Sequence, residues 1–150
     1  MQAYPHQYQV AAASSASGTV RLTSRALPPL ESTPPPEFDG PEGYWSPETL
    51  LLASVADCYS LSVRAIARAS RLEWQDLSVD VEGVLDRVDG VTRFVHLTLR
   101  PRLVLAEGQK ETLARTVLEK AERACLISNS LNAVRELQPQ IELAAADAPA

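Results

Sequence analysis

Two sulfurs and one acid are the residues whose types and spacing can do chemistry. The 150-residue chain has only two cysteines, Cys58 and Cys125, 67 positions apart. Two thiols can close as a disulfide and be reset by an external dithiol. They can equally be small core hydrophobes, since free cysteine is among the most buried residue types. Pattern alone leaves both readings open. Glu48 lies ten residues before Cys58. Ten residues of straight helix rise about 15 Å, so Glu48 cannot touch the Cys58 of its own chain. If both serve one site, Glu48 reaches the Cys58 of a second subunit, with two central helices antiparallel about a two-fold axis. Otherwise it is a first-turn acid that complements the helix dipole. The two cysteines, His6 and His96 show no close ligand spacing such as CxxC or HxxxH, so a metal site is not expected.

The element that must hold Cys58 is the stretch Tyr44 to Ser70. Ser46 is a good N-cap, Pro47 suits the first helical position, and Glu48 follows in the first turn. Leu50, Leu51, Leu52, Ala53, Val55 and Ala56 make the helix apolar almost all round, which predicts cover on most sides. Cys125 closes a second helical pattern over 107–124, where Leu113, Val117, Ala121 and Ala124 form the expected buried stripe. Glu111 and Arg115 are a favourable i,i+4 pair on its wet side.

Between the helices, 77–85 and 93–105 alternate as two strands joined at Asp89-Gly90, a strong hairpin signal. Pro101 points to an edge position or a bulge. His96 falls on a sheet face with Phe94 and Thr98, more in keeping with a surface residue than a catalyst. At the start, 8–13 and 19–24 read as strands around the turn SSASG. Residues 27–43, punctuated by six prolines, read as an extended connection that is neither helix nor inner strand. Residues 140–144 suggest a last strand, and Asp147 to Ala150 a frayed tail. Strands, a long helix, strands, a helix and a strand make an α+β pattern in one domain over 1–150.

A net charge of −5 and 5 % aromatic residues argue against a nucleic-acid partner. No apolar run reaches the length of a membrane span, and the N-terminus lacks signal-peptide regions. A cytoplasmic protein is therefore expected, where a permanent structural disulfide is uncommon.

Ser46-Pro47-Glu48, followed by Leu50, Leu51, Leu52 and Ala53 and closing on Asp57-Cys58, resembles the central-helix signature of the OsmC/Ohr family. Ala124-Cys125 with Ser128-Asn129 resembles that family's second-cysteine motif, Cys-Pro-x-Ser-Asn. With the proline-rich stretch ending in Gly40-Pro41, the resemblance runs from about residue 8 to residue 144. It implies antiparallel sheets packed around a long central helix in an intertwined homodimer. It also implies thiol peroxidase activity on organic hydroperoxides in oxidative-stress defence. Cys58 would be the peroxidatic thiolate, Cys125 the resolving thiol, Glu48 the third site residue and an external dithiol the reductant, with no metal, haem or flavin cofactor.

Two departures stand out. The family's reductase branch places an arginine in the first hairpin turn, where this chain has Ala16; Arg21 and Arg25 are the nearby candidates for activating the thiol. Leu126 replaces the usual proline after the second cysteine. A mid-helix thiol without a cation has a raised pKa. The alternative is thus a non-catalytic OsmC-like dimer that binds a hydrophobic small molecule or acts as a thiol redox sensor.

Overall fold

The computed structural model describes residues 1–145, so the expected tail at Asp147–Ala150 lies outside the described residues. Two compact units divide the chain, one from Met1 to Leu51 and one from Leu52 onward.

The first unit holds a small antiparallel sheet in the order β1 (Ala11–Ala13), β2 (Val20–Thr23), β3 (Leu30–Ser32). The strand β3 lies within the stretch expected to be a plain connection. It escapes the prolines because Leu30, Glu31 and Ser32 fall between Pro29 and Pro34, and it occupies an edge. A 3₁₀ turn follows at Pro36–Phe38. Its amides close the loop on itself: Phe38 N–H and Gly40 N–H donate to the Pro35 carbonyl at 2.9 and 3.0 Å. Gly40 is obligatory there, since an added Cβ would lie 1.7 Å from the Pro34 carbonyl oxygen.

The long helix α1 (Pro47–Ala69) starts in the first unit and continues into the second. Its start is fixed by reciprocal capping. Ser46 Oγ accepts from Thr49 N–H at 3.2 Å, and Thr49 Oγ1 accepts from Ser46 N–H at 2.9 Å.

In the second unit β4 (Trp74–Val88) and β5 (Val91–Leu105) form a long antiparallel hairpin. Asp89 and Gly90 turn it at φ 51° and 76°, the doubly left-handed geometry of a type I′ turn. Then come α2 (Glu111–Ala124), a short turn of helix α3 (Leu126–Asn129), β6 (Val134–Leu137) and β7 (Gln140–Leu143). Both last strands pair parallel with β5, a departure from a wholly antiparallel sheet. This makes β5 an inner strand, against the edge position or bulge that Pro101 suggested. Pro101 falls between the residues paired with β6 (His96–Leu99) and those paired with β7 (Arg102–Leu105). The neighbouring ladder is interrupted where the proline sits, so an inner strand tolerates it there.

The core lies in this unit. Val55, Tyr59, Val63 and Ala67 of α1 join Leu97, Leu99, Leu103 and Leu105 of β5 and Ala114, Val117, Leu118 and Ala121 of α2. The stripe on α2 is thus 114/117/118/121; Leu113 is only half-buried and Ala124 is exposed. Gly83 lets the helix approach the sheet, because a Cβ there would lie 2.8 Å from both Leu52 and Phe94 side chains.

The helix α1 is not covered on most sides. Its buried residues are one stripe of four at i, i+4 spacing, and Leu61 is exposed. One chain supplies packing partners for only one face. By length and composition this 23-residue helix, in which an 18-residue window reaches a mean hydropathy of 1.5, is also apolar enough to cross a membrane, against the expectation that no apolar run is long enough. That is weak evidence for a span, because the core helix of a water-soluble protein passes the same test.

Candidate active site

Cys58 sits halfway along α1, one residue before the buried Tyr59, and is itself half-buried. Cys125 is fully buried where α2 ends. Its backbone (φ −64°, ψ 103°) leaves the helical region, so the chain turns sharply and α3 begins at the next residue. The Cys125 carbonyl then accepts from Asn129 N–H at 2.9 Å, closing that turn.

The two thiols come together. The Cys125 thiol and the backbone N–H groups of Ile127 and Leu126 are the groups that act on the Cys58 sulfur. Both cysteines are free. On the far side of Cys125, Ser128 Oγ donates to its sulfur at 3.2 Å. The second cysteine thus opens a tight turn that aims two amides at the first cysteine and one hydroxyl back at itself.

These forces do not balance on Cys58. Burial raises its pKa most, the Ile127 amide opposes that, contact with Cys125 raises it further, and the Leu126 amide lowers it. The net shift is upward from 9.0, so burial wins over two amides and the resting thiol is protonated near neutral pH. Among the described residues, no cation is among the groups that set it.

Several side chains fix this geometry. Tyr59 donates its hydroxyl to the Leu118 carbonyl at 3.1 Å, which sets the register of α1 against α2. Burial holds that phenol protonated far above its ordinary range. Arg135 of β6 braces the turn. Its Nε meets Glu122 of α2 at 3.1 Å, and its Nη1 donates to Asn129 Oδ1 at 3.0 Å. Asn129 Nδ2 in turn donates to the Arg123 carbonyl at 3.0 Å. Sequence reasoning did not find Arg135 or Glu122. An arginine on a short strand after a proline-free turn carries no spacing signal toward a glutamate on the preceding helix.

The other expected site residues lie in the first unit. Arg21 pairs with Glu31 across β2 and β3 at 3.1 Å, and Glu31 also accepts the Thr19 hydroxyl. Arg25 is exposed in the turn after β2, and Ala16 is exposed in the first hairpin turn. Neither arginine is among the groups that set Cys58. Glu48 stands in the first turn of α1 with Oε2 buried and unpaired. Among the described residues no group of three or more His, Cys, Asp or Glu is arranged to hold a metal ion.

A model of the OsmC-like protein family matches residues 40–138. This chain belongs to the OsmC-like family. The match includes Glu48, Cys58 and Cys125 and excludes the hairpin that carries Arg21 and Arg25. A relative, the uncharacterized protein YmaD of Bacillus subtilis (strain 168), is 34 % identical over 107 residues, covering 69 % of this chain and 71 % of that protein. An OsmC-like protein of unknown function from Vibrio cholerae superposes with a TM-score of 0.82 at 18 % identity, over 90 % of this chain and 99 % of that one. The organic hydroperoxide resistance protein OsmC of Legionella pneumophila gives a TM-score of 0.73 at 22 % identity, over 93 % and 99 %. At such identities the likeness to these solved structures is one of fold. The OsmC-like fold expected from the sequence is therefore the observed one: mixed α+β, with antiparallel sheets and a long central helix.

Proposed function

We propose that this OsmC-like protein is a two-thiol peroxidase that reduces organic hydroperoxides to alcohols in defence against oxidative stress. The observation that carries the proposal is that Cys125 lies close enough to Cys58 to act on its thiol. The name of the Legionella relative supports the same chemistry.

The Cys58 thiolate attacks the outer peroxide oxygen, the O–O bond breaks, and the alcohol leaves with a proton; Cys58 becomes a sulfenic acid. The Cys125 thiolate then attacks the Cys58 sulfur, expelling water and forming the Cys58–Cys125 disulfide. An external dithiol returns both to thiols by exchange. The amides of Leu126 and Ile127 face the Cys58 sulfur, where they favour the thiolate and hold it during attack. In this reading two chains form a homodimer. The uncovered faces of α1 pack together, and Glu48 of one subunit serves the Cys58 of the other.

A competing reading, a non-catalytic dimer that binds a hydrophobic molecule or senses redox state, draws on the raised thiol pKa, which no cation among the described residues lowers. One experiment separates the two. Reduced protein is mixed with cumene hydroperoxide and its free thiols are counted. A peroxidase loses both thiols for each peroxide consumed and regains them with dithiothreitol. Survival of both thiols under conditions that oxidise a control peroxidase sinks the proposal.

A further inference from the structure

The two thiols differ in access. Cys58 is half-buried, whereas Cys125 is fully buried and Ser128 beside it is 1 % exposed. A second subunit adds cover and removes none. Thiol–disulfide exchange needs an incoming thiolate on one sulfur while the other leaves with the electron pair. In a Cys58–Cys125 disulfide the sulfur open to attack is therefore Cys58, and Cys125 is the leaving group. Cys125 is also the nucleophile when the disulfide first closes. In both directions negative charge gathers on a sulfur that belongs to the hydrophobic core.

Charge in such a place is costly unless a hydrogen bond meets it. The available donors are divided between the two sulfurs. The amides of Leu126 and Ile127 act on Cys58. No amide of α3 caps onto the Cys125 side chain, although Cys125 stands at the start of that helix. Among the described residues, the hydrogen bond that the Cys125 sulfur accepts is the one from Ser128 Oγ, at 3.2 Å. Ser128 is held one turn further on for this contact. Asn129 N–H donates to the Cys125 carbonyl at 2.9 Å, and Leu131 N–H donates to the Ser128 carbonyl at 3.1 Å.

We infer that Ser128 is a catalytic residue of disulfide exchange, its hydroxyl holding the charge on Cys125 Sγ when that thiolate attacks Cys58 and when an external dithiol expels it. In the reducing direction the incoming thiolate bonds to the Cys58 sulfur and the Cys58–Cys125 bond breaks. Cys125 departs with the electron pair onto the Ser128 hydrogen bond. The reductant's second thiolate then attacks the mixed disulfide, closes the reductant's own disulfide and releases Cys58. The two protons that the reductant gave up restore both thiols. The inference rests on reading Cys58 and Cys125 as a reversible pair, not on which oxidant closes it.

The test closes the disulfide of the full chain with diamide, so that no peroxide chemistry is involved. Its reduction by dithiothreitol is followed at fixed pH by counting free thiols. Ser128→Ala should slow reduction roughly ten- to a hundredfold, the scale of one hydrogen bond to a charged group. Reduction at the wild-type rate would overturn the inference. So would an equal slowing of Cys58 alkylation by iodoacetamide in the reduced variant, because that step puts no charge on Cys125. Ser128→Thr keeps the hydroxyl and should recover most of the rate; a threonine variant as slow as Ser128→Ala would overturn the role of the hydroxyl. On the wild-type chain, glutathione in place of dithiothreitol should leave its mixed disulfide on Cys58 in peptide maps. A mixed disulfide on Cys125 would overturn the order of attack. If diamide cannot close the pair, this inference and the peroxidase reading both fail. If the diamide-closed pair behaves as stated but cumene hydroperoxide does not oxidise the thiols, the inference stands and the peroxidase reading alone fails.

Discussion

The two polar environments in this molecule are opposites. Around Cys58 and Cys125 the polar atoms are met from within the chain: two amides act on one sulfur and a serine hydroxyl donates to the other, and the two thiols are neighbours. Around Glu48 and Thr33 two buried oxygens have no partner at all. A saturated cluster is pre-organised, and what it does is set by groups already present. An unsaturated one states a requirement that something else must fill. The same long helix carries both, Glu48 in its first turn and Cys58 halfway along. Substitutions should therefore act in opposite directions at the two places.

The largest effect belongs to the saturated cluster. Cys58→Ser should abolish peroxide consumption. Cys125→Ser should consume one equivalent and stop, leaving a sulfenic acid that dimedone traps. If Cys125→Ser turns over like the wild type, the paired thiols are not the reacting unit.

Next comes pH. Because burial lifts the Cys58 pKa above 9.0, the thiolate is a minor form at neutrality, and alkylation by iodoacetamide should quicken about tenfold per pH unit through pH 7–9 without levelling off. The same shift has a sign for stability. A raised folded-state pKa means the native chain holds its proton where the unfolded chain has lost it. The contribution of Cys58 to stability is thus intact below the ordinary thiol value and lost as pH rises past it toward the folded value. An alkylation rate that levels off near pH 6 would mean that a cation reaches Cys58 after all.

A smaller effect tests the bracing of the turn. Arg135→Ala frees Asn129 and Glu122, so the amides of Leu126 and Ile127 are no longer held on Cys58. Alkylation at fixed pH should slow a few-fold, as expected if one pKa unit is 1.36 kcal/mol and only part of that is lost. Arg135→Lys cannot reproduce the two-pronged contact and should restore little. An unchanged rate in Arg135→Ala would mean that the turn holds its shape without the brace.

How much of this was legible beforehand follows from which signals are local. The start of α1 was readable because Ser46, Pro47 and Glu48 act within one turn, and the Asp89-Gly90 hairpin because its geometry needs only two residues. The strand β3 was hidden among prolines, and β6 was four residues with no period to detect. Pro101 misled because its tolerance depends on where β6 ends and β7 begins, both far along the chain. The uncovered faces of α1 were misread for a related reason: an apolar residue declares that it seeks cover, not which chain supplies it. At the site the two thiols were identified by motif. The Leu126 and Ile127 amides were not, since a backbone N–H has no letter in the sequence. Nor does the sequence show which polar atoms stay unpaired.

That last distinction gives the finest test of the contrast, because it predicts a sign. Ser128→Ala removes a hydroxyl that donates to Cys125 at a site only 1 % exposed. It should destabilise the chain by about 0.5–1.5 kcal/mol, the net worth of one such bond. Thr33→Val is nearly isosteric and removes a hydroxyl that is 95 % buried by residue and unpaired, while the backbone bond from Thr33 N–H to Trp45 is kept. Burying that oxygen unsatisfied costs about 1–3 kcal/mol, so its removal should leave stability unchanged or raise it by about 1 kcal/mol. Urea melts of the two variants with equal m-values measure the difference cleanly. If Thr33→Val loses as much as Ser128→Ala, its hydroxyl has a partner in solution. That oxygen would then be a satisfied part of the fold, like the thiol site, and its opposition to that site would disappear.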